Sequence, residues 1–469
     1  MQNRIVTPGR SHGLLRRRAL GLAAAAALLP LAACNLDEAL SVKDPYTVTP
    51  PVARDTVNLP NTYAGAVARF ATGISGRQNR EGGLILQSGT LADELIDTDG
   101  FATRQAIDRR AAGESNAATL DPYTYLQRAR AEAVNASDLF ATTSQNGSVE
   151  HANLYNIVGY SELLLAENFC SGVPLSLVDV NGQFLPGAQQ STSALVDSAI
   201  VAFQQAATMA GALGADGAAQ LNLARVGMAR AMSFQGRYTE AAAIAAQVPD
   251  NFRFFVEYDA ATQNTYNVVF QIGNEEKRWG VRDNEGTNGL VWTGDPRTPT
   301  APNGTANDGG VTGPHIAQRK YTSRSSDVLL ASGMEARYIQ AEAALKAGQT
   351  GPFLTFLNQA RAIGTPIGGT TPTGVTIVTL PALATAGADA TAMARTLFSE
   401  RAHSLWLTAH RVGDLRRQER NFGFPQNTIW PIGADVRGGQ YGTDVSLTIP
   451  QEERNNPSFT GCLAPPSTA

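Results

Sequence analysis

The chain has 469 residues, 43% of them hydrophobic and 17% charged, which is enough for one large or two ordinary globular domains. It carries 37 Lys and Arg against 41 Asp and Glu; residues 1–33 hold five of the arginines and no acidic residue. The remainder therefore has 32 basic and 41 acidic residues, and a net charge of −9 argues against a nucleic acid as partner.

The first 34 residues have the pattern of a lipoprotein signal peptide. Residues 16–18 are arginines, and the apolar run over 19–31 is too short for a comfortable membrane span. A Leu-Ala-Ala-Cys box ends at Cys34, so we expect removal of residues 1–33 and lipidation of Cys34. The alternative is a secreted protein with a cysteine near its cleavage site by chance. The arginines suit both the general and the twin-arginine export route.

Export to an oxidising compartment bears on the other cysteines. If Cys34 is lipidated, Cys170 and Cys462 remain as an even pair, and we expect a disulfide between them. Two buried free thiols are the alternative. The bridge would fasten the C-terminal tail and stabilise the fold by up to about 5 kcal/mol in the loop-entropy model.

The rest of the chain divides into a tether and one domain. Residues 34–60 are proline-rich and predict an extended tether, and residues 61–469 predict a single helical domain. We divide this domain into an N-terminal part (61–250), a loop-rich insert (251–330) and a C-terminal helical part (331–469). Apolar periodicity in the N-terminal part predicts helices over 62–72, 83–95, 122–140, 151–169, 221–235 and 237–248.

Two helical hairpins have tetratricopeptide-like spacing. The pair 221–248 turns at Gly236, and a second pair, 335–362, turns at Gly348 with small residues in matching places. Alanine-rich hairpins are common, so one match is weak, but two in one chain favour a helical-repeat scaffold. The fold class predicted is therefore mostly α, with long loop-rich inserts.

The insert is also the candidate ligand-binding segment, because long loops inside a compact domain are usually functional or disordered. Glycan binding needs an aromatic platform for the sugar ring with planar polar side chains around it. The candidates are Trp292, Trp279, Tyr266, Arg282, Asp283 and Asp295. The alternative for the tryptophans is that they fill the core beneath the loops. Residues 363–390 are also irregular but carry no aromatic residue.

Residues 396–417 predict one long amphipathic helix with a basic last turn. Their sequence resembles the closing helix of the SusD/RagB family, which runs Glu-Arg, Leu, His-Arg, Asp-Leu and Arg. The matching residues are Glu400, Arg401, Leu405, His410, Arg411, Asp414, Leu415 and Arg417. The tail over 449–457 is similar to the family's Pro-Ile-Pro-x-x-Glu and Asn-Pro ending. Ser404, Thr408 and Ala409 depart from the more usual Glu, Glu and Gly.

This resemblance implies a specific biological setting. Such proteins have a tetratricopeptide-like scaffold with a loop-rich face and are lipid-anchored in the outer membrane, exposed at the cell surface. They form lids on TonB-dependent (SusC-like) barrel transporters, bind an oligosaccharide or a peptide, and help to load the barrel. The alternative function is a tetratricopeptide-type envelope scaffold that binds other proteins and no small ligand.

Catalytic and metal motifs are missing from the sequence: there is no nucleophile elbow, zinc-binding histidine pair, phosphate loop or dinucleotide fingerprint. We therefore expect no enzyme activity, cofactor or metal site; a hydrolase would need carboxylates or a Ser-His pair that converge in space. His403 and His410 predict a surface or supporting role. The acidic group of Asp93, Glu94, Asp97 and Asp99 predicts solvated charge rather than a calcium loop. We expect Trp406 in the core and leave Trp430 undecided.

Overall fold

Helices dominate the chain in the computed structural model, which describes residues 56–78, 80–179, 183–285, 289–307, 311–370 and 374–469. The signal peptide, Cys34 and the tether up to residue 55 lie outside the described residues. Residues 54–469 form one compact unit. No helix within the described ranges is long and apolar enough to span a bilayer.

Most of the helices lie where the apolar periodicity of the sequence predicts them. In chain order they are α1 (Leu59–Ser75), α2 (Leu84–Ala92), α3 (Ala102–Asp108), α4 (Leu120–Ala141), α5 (Val149–Asn168), α6 (Thr192–Ala212), α7 (Ala218–Phe234), α8 (Tyr238–Ala245), α9 (Val268–Phe270), α10 (Gly333–Lys346), α11 (Thr350–Ile363), α12 (Ala390–Ser404) and α13 (Arg411–Phe422). Sequence analysis did not predict α3, α6 or α9.

Successive helices pack on one another and build the scaffold. α1 packs on α4, and the series continues through α5, α6, α7, α8, α10 and α11. Close approach depends on small residues: the ring of Phe203 in α6 occupies the space where a Cβ on Gly159 of α5 or Gly227 of α7 would overlap it. A larger residue at either glycine would have to displace the ring from a close-packed core.

Side-chain caps fix where several helices begin. Ser148, Ser191, Ser332 and Asp389 each accept a hydrogen bond from the backbone N–H three residues later, at the first turns of α5, α6, α10 and α12. Each cap satisfies one of the N–H groups that a helix leaves without an internal partner, which stabilises a helix by about 1 kcal/mol.

Short strands tie the loops to the scaffold in antiparallel pairs. The strands are β1 (Ile96–Asp97), β2 (Val173–Pro174), β3 (Leu177–Val178), β4 (Phe184–Leu185), β5 (Gln189–Gln190), β6 (Arg253–Val256), β7 (Trp279–Gly280), β8 (Thr300–Thr305), β9 (Pro314–Gln318), β10 (Val328–Ser332), β11 (Thr365–Ile367) and β12 (Thr376–Val378). The pairs are β1 with β7, β2 with β5, β3 with β4, β6 with β10, β8 with β9 and β11 with β12. The insert is thereby joined to the segment that follows α2.

The predicted closing helix is wrong in one respect, because it is two helices. α12 ends at Ser404 and α13 begins at Arg411, and between them Leu407 and Ala409 adopt φ of 53° and 60°. Side chains from the insert hold this break: the ammonium of Lys320 donates to the carbonyl of Trp406, and the hydroxyl of Tyr321 donates to the Leu407 carbonyl at 2.7 Å.

A disulfide joins Cys170, just after α5, to Cys462 in the C-terminal tail, with 5.8 Å between their Cα atoms. Backbone hydrogen bonds reinforce this junction. The N–H of Cys170 donates to Leu447, and the N–H of Leu447 donates to Asn168, at 2.9 and 2.7 Å. The tail is therefore part of the folded unit, held against the end of α5.

Candidate ligand-binding face

The signature residues of the closing segment form buried ion pairs. The guanidinium of Arg401 meets both carboxylate oxygens of Asp414 at 2.8 Å, and Arg417 contacts Asp414 at 2.9 Å and Glu342 of α10 at 3.1 Å. Burial opposes ionisation of Asp414, but Arg401 and Arg417 outweigh it and hold its pKa well below the usual range. These residues hold α10, α12 and α13 together rather than contact a ligand.

His410 belongs to the same interior, so the surface position that was one of the two expectations for it is wrong. Its Nε2 lies 2.7 Å from a guanidinium nitrogen of Arg230 and 3.1 Å from a carboxylate oxygen of Glu335, and its side chain is 3% exposed. Burial and the charge of Arg230 lower the pKa of His410, which favours a neutral ring. His403 is also buried and hydrogen bonds to two backbone carbonyls, at Ser399 and Val291.

The acidic group after α2 is buried and paired, so the prediction of solvated charge is wrong. Asp93 accepts two hydrogen bonds from Arg411, at 2.8 and 2.9 Å, and Asp99 accepts from Arg104 at 2.6 Å. Glu94 and Asp97 are also almost wholly buried. For Asp93 the cause is tertiary: Arg411, far away in sequence, folds onto the carboxylate and compensates its desolvation.

The two tryptophans proposed as a ligand platform lie in the core. Trp279 is 2% exposed and donates from Nε1 to the hydroxyl of Thr90, and Trp292 is 1% exposed and donates to the carbonyl of Asp93. Neither ring presents a face to solvent. Trp406, as expected, and Trp430 are fully buried too.

Three further candidates from the insert have structural partners. Tyr266 is half-buried, and its hydroxyl accepts from Arg324, whose guanidinium lies 4.7 Å from the ring centre. Asp283 accepts from the backbone N–H groups of residues 292 and 293, and Asp295 pairs with the guanidinium of Arg297 at 2.8 Å. Both aspartates therefore shape the loop that carries them.

Arg282, the remaining candidate, lines a polar cavity of about 320 Å³ that we call the loop-face cavity. The residues lining it come from the insert and from the segment after α13: Arg282, Asn284, Glu285, Ile432, Gly433, Ala434, Asp435, Val436 and Tyr441. Asn284 has a positive φ of 55°, a conformation that asparagine tolerates better than most residues. The cavity offers hydroxyl, amide, carboxyl and guanidinium groups within reach of one small ligand.

Two residues of the cavity lining, Tyr441 and Glu285, hydrogen bond to each other. The hydroxyl of Tyr441 donates to Oε1 of Glu285 at 2.6 Å, and no described residue hydrogen bonds to Oε2 of Glu285. Burial raises the pKa of Glu285 well above its usual range, and the nearby carboxyl of Asp108 adds to this effect. The raised pKa favours the neutral, protonated form of Glu285, which suits hydroxyl groups of a neutral ligand better than it suits a cation.

An exposed aromatic ring, missed by the sequence analysis, lies on the segment next to this cavity. Phe101 is 49% exposed, and the guanidinium of Arg104 lies between its ring and that of Trp279, 4.6 Å from each centroid. Arg437, next in the chain to a cavity residue, hydrogen bonds to Asp97 of the same segment. The one feature of the sequence that could have indicated an exposed ring is the position of Phe101 directly after the polar residues 97–100.

The contacts that could suggest hydrolysis have other roles. His151 Nε2 lies 2.9 Å from the hydroxyl of Ser137, but its Nδ1 accepts the backbone N–H of Gly147, so Nε2 carries the proton. A ring protonated there cannot act as base for that hydroxyl. Asp97 and Asp108 are both bound by Arg437 and buried. The described residues contain no group of three or more His, Cys, Asp or Glu placed to hold a metal ion.

Comparison with known proteins identifies the architecture. A SusD-like protein from Bacteroides fragilis NCTC 9343 superposes with a TM-score of 0.61 over 88% of this chain and 98% of its own, at 12% identity. A SusD superfamily protein from Bacteroides vulgatus ATCC 8482 gives 0.60 over 87% and 98%, at 14% identity. This chain has the SusD-like fold. Surface glycan-binding protein A from Bacteroides uniformis also superposes on this chain, with a TM-score of 0.58 over 87% of this chain and 99% of its own, at 13% identity.

The similarity to SusD-like proteins is one of fold, because the sequence identities are low. No family model matches the sequence, and no curated protein matches it. The neighbours with this fold include one described as a SusD-like carbohydrate binding protein and another described as a putative sugar binding protein. Within this chain, the SusD-like scaffold places the signature residues in the interior and leaves the loop-face cavity open.

Proposed function

We propose that this protein is a surface lipoprotein that binds an oligosaccharide and delivers it to a TonB-dependent outer-membrane transporter. The observation that carries the proposal is the SusD-like fold, which extends over nearly the whole of neighbours described as carbohydrate or glycan binding. The signal-peptide pattern and Cys34 support a lipid anchor in the outer membrane with exposure at the cell surface. The protein acts by binding and not by catalysis.

The loop-face cavity is the proposed site. Its polar groups are those that bind sugar hydroxyls: the guanidinium of Arg282, the amide of Asn284 and the Tyr441–Glu285 pair. Phe101 supplies an exposed ring for the C–H face of a sugar, and Arg104 holds that ring against the scaffold. An oligosaccharide would thus stack on Phe101 and place a residue of the chain in the cavity.

Binding to a panel of neutral and acidic oligosaccharides tests the site. For a bound glycan, Arg282→Ala and Phe101→Ala should each weaken affinity at least about tenfold, as the loss of a buried hydrogen bond or a stacking contact does. Phe184→Ala is the matched control, because among the described residues Phe184 is the one other aromatic side chain that is about as exposed as Phe101. If Phe184→Ala alone weakens binding, the site lies at the β3–β4 hairpin; if no glycan binds, the proposal fails.

Purification of the lipidated protein from outer membranes tests delivery. A barrel transporter recovered in stoichiometric amounts supports the lid role, and deletion of the gene should then abolish uptake of one nutrient class. Recovery with other envelope proteins and without a transporter would favour the scaffold alternative instead.

A further inference from the structure

The turn between α4 and α5 contains an asparagine followed by a glycine, Asn146–Gly147. In such a pair the backbone nitrogen of the glycine can attack the side-chain amide carbon of the asparagine, because glycine has no Cβ in the way. The side chain of Asn146 is exposed and forms no hydrogen bond with the described residues, so no such bond holds it away from the main chain. Gly147 adopts φ of 80°, a conformation in which other residues are strained. The fold therefore favours the residue pair that makes Asn146 reactive.

The backbone N–H of Gly147 donates to a histidine ring. The distance from this nitrogen to Nδ1 of His151, in the first turn of α5, is 3.1 Å. The other ring nitrogen, Nε2, lies 2.9 Å from the hydroxyl of Ser137 and carries the ring proton, because Nδ1 accepts a hydrogen bond. An unprotonated imidazole nitrogen thus faces the proton that Gly147 must lose when its nitrogen attacks.

The surroundings of His151 keep this nitrogen unprotonated and in place. Burial lowers the pKa of His151, and the charge of Asp138 on α4, which raises this pKa, does not cancel the effect of burial. The rings of Phe140 and Tyr155 lie 5.8 and 5.5 Å from the imidazole, centroid to centroid, and limit its movement. The neutral form of the ring is therefore favoured near pH 7, with Nδ1 directed at Gly147.

We propose that Asn146 is an autocatalytic deamidation site, with His151 as the general base. Nδ1 accepts the proton of Gly147 as the backbone nitrogen bonds to Cγ of Asn146, and the ring returns this proton to the departing side-chain nitrogen. The Cγ–Nδ2 bond breaks, ammonia leaves, and a five-membered succinimide remains. Water then adds to either carbonyl carbon of the succinimide and leaves aspartate or isoaspartate at position 146. Together these steps consume one water molecule and release one ammonia molecule.

A second Asn–Gly pair provides a control within the same molecule. The sequence contains four such pairs, and the structure describes both residues of Asn146–Gly147 and of Asn303–Gly304. Gly304 also has a positive φ, of 73°, but Nδ2 of Asn303 donates to the backbone carbonyl of Asn274 at 2.7 Å. This bond fixes the side chain and must break before the amide carbon can meet the next backbone nitrogen. We therefore expect Asn303 to remain intact while Asn146 reacts.

Peptide mapping of the folded, oxidised protein after incubation at a series of pH values tests the proposal. Cleavage at glutamate releases residues 133–150, in which deamidation is detected from the peptide mass and isoaspartate from reaction with an isoaspartyl methyltransferase. Asn146 should convert at least about tenfold faster than Asn303, and at least about tenfold faster than the same asparagine in an unfolded peptide of residues 143–149. Its rate should level off above the pKa of His151, whereas deamidation without an internal base keeps rising in proportion to hydroxide.

His151→Gln should remove both the acceleration and the plateau, and Tyr155→Phe is the control, because it keeps the ring contact and the base. Fast conversion with a plateau, lost in the first variant and kept in the second, supports the proposal. Conversion no faster than in the unfolded peptide, a rate that follows hydroxide throughout, or an acceleration that survives His151→Gln overturns it. If His151→Gln does not fold, the pH profile of the unaltered protein still decides. Asn146 does not line the loop-face cavity, so a failure here leaves the proposed function untouched.

Discussion

Arg401 at the end of α12 and Asp414 in the first turn of α13 face each other across the break between the two helices. Two guanidinium nitrogens lie 2.8 Å from the two carboxylate oxygens, and both side chains are almost wholly buried. This geometry pairs the two charges away from water, which is the condition under which a buried pair is tolerated.

Asp414→Asn should therefore be strongly destabilising. It leaves Arg401 and Arg417 buried with one carboxylate fewer, and we expect a loss of about 3–5 kcal/mol in the free energy of unfolding. Urea denaturation measures it. Glu132→Gln is the control, because the Arg69–Glu132 pair is exposed by about two-fifths and should lose less than about 1 kcal/mol. Equal losses in the two variants would contradict a structural role for the signature residues.

Ala409→Gly should not destabilise the protein, although it removes a buried methyl group. Ala409 has φ of 60°, where an L-residue is strained by about 1–2 kcal/mol and glycine is not. The gain offsets the roughly 0.8 kcal/mol lost with the methyl group. Ala402→Gly in α12 has no such compensation and should cost about 1–2 kcal/mol. Thermal or urea unfolding of the two variants gives the comparison; an equal cost would mean that Ala409 is not strained.

Glu94→Gln should change how stability depends on pH. Burial raises the pKa of Glu94 to about 8. The charge of Asp93 also raises this pKa, and the charges of Arg411 and Lys320 lower it. Between pH 5 and 6.5 the folded carboxyl holds a proton that the unfolded one has released, so the folded state loses stability as pH rises.

The Gln variant lacks this loss and keeps an acceptor for the Leu407 N–H. Its stability relative to the unaltered protein should therefore rise with pH across that window, by up to about 1.4 kcal/mol per unit. Denaturation at pH 5.0, 5.75 and 6.5 measures the slope. A difference that stays constant with pH would mean that Glu94 is ionised in the folded state.

Reduction of the Cys170–Cys462 disulfide should lower stability by up to about 5 kcal/mol, because the bond closes a loop of 292 residues. Urea unfolding with and without reductant measures the loss. Cys170→Ser combined with Cys462→Ser should unfold at the same urea concentration as the reduced protein and should not respond to reductant. An unaltered midpoint on reduction would show that the tail is held by its other contacts alone.

The sequence predicted helices where the pattern is local and failed where distant residues decide. α5 and α7 match their predicted ranges within a few residues because apolar spacing alone defines a helix face. The break after α12 could not be predicted in this way, since Lys320 and Tyr321 hold the backbone carbonyls of residues 406 and 407, just where the chain leaves the helix. No periodicity encodes that contact.

The candidate site, too, could be predicted from the sequence only in part. Arg282 of the insert lines an open cavity, and the role of the insert in ligand binding stays a prediction. The chemical type of a residue does not fix its exposure, however. Trp279 and Trp292 are buried beneath the loops, whereas Phe101, on the segment that Arg437 contacts through Asp97, is exposed. Tyr441 joins the site from a segment more than 150 residues away in sequence.

The partners of several early buried charges are the last parts of the chain to be made. Asp93 is neutralised by Arg411, and the end of α5 is secured by Leu447 and Cys462. Synthesis proceeds from the N-terminus, so Asp93 stays hydrated and the first helices cannot complete their packing until α13 and the tail have been made. Only the full-length chain can complete its core, and a polypeptide interrupted before α13 is left open to proteases.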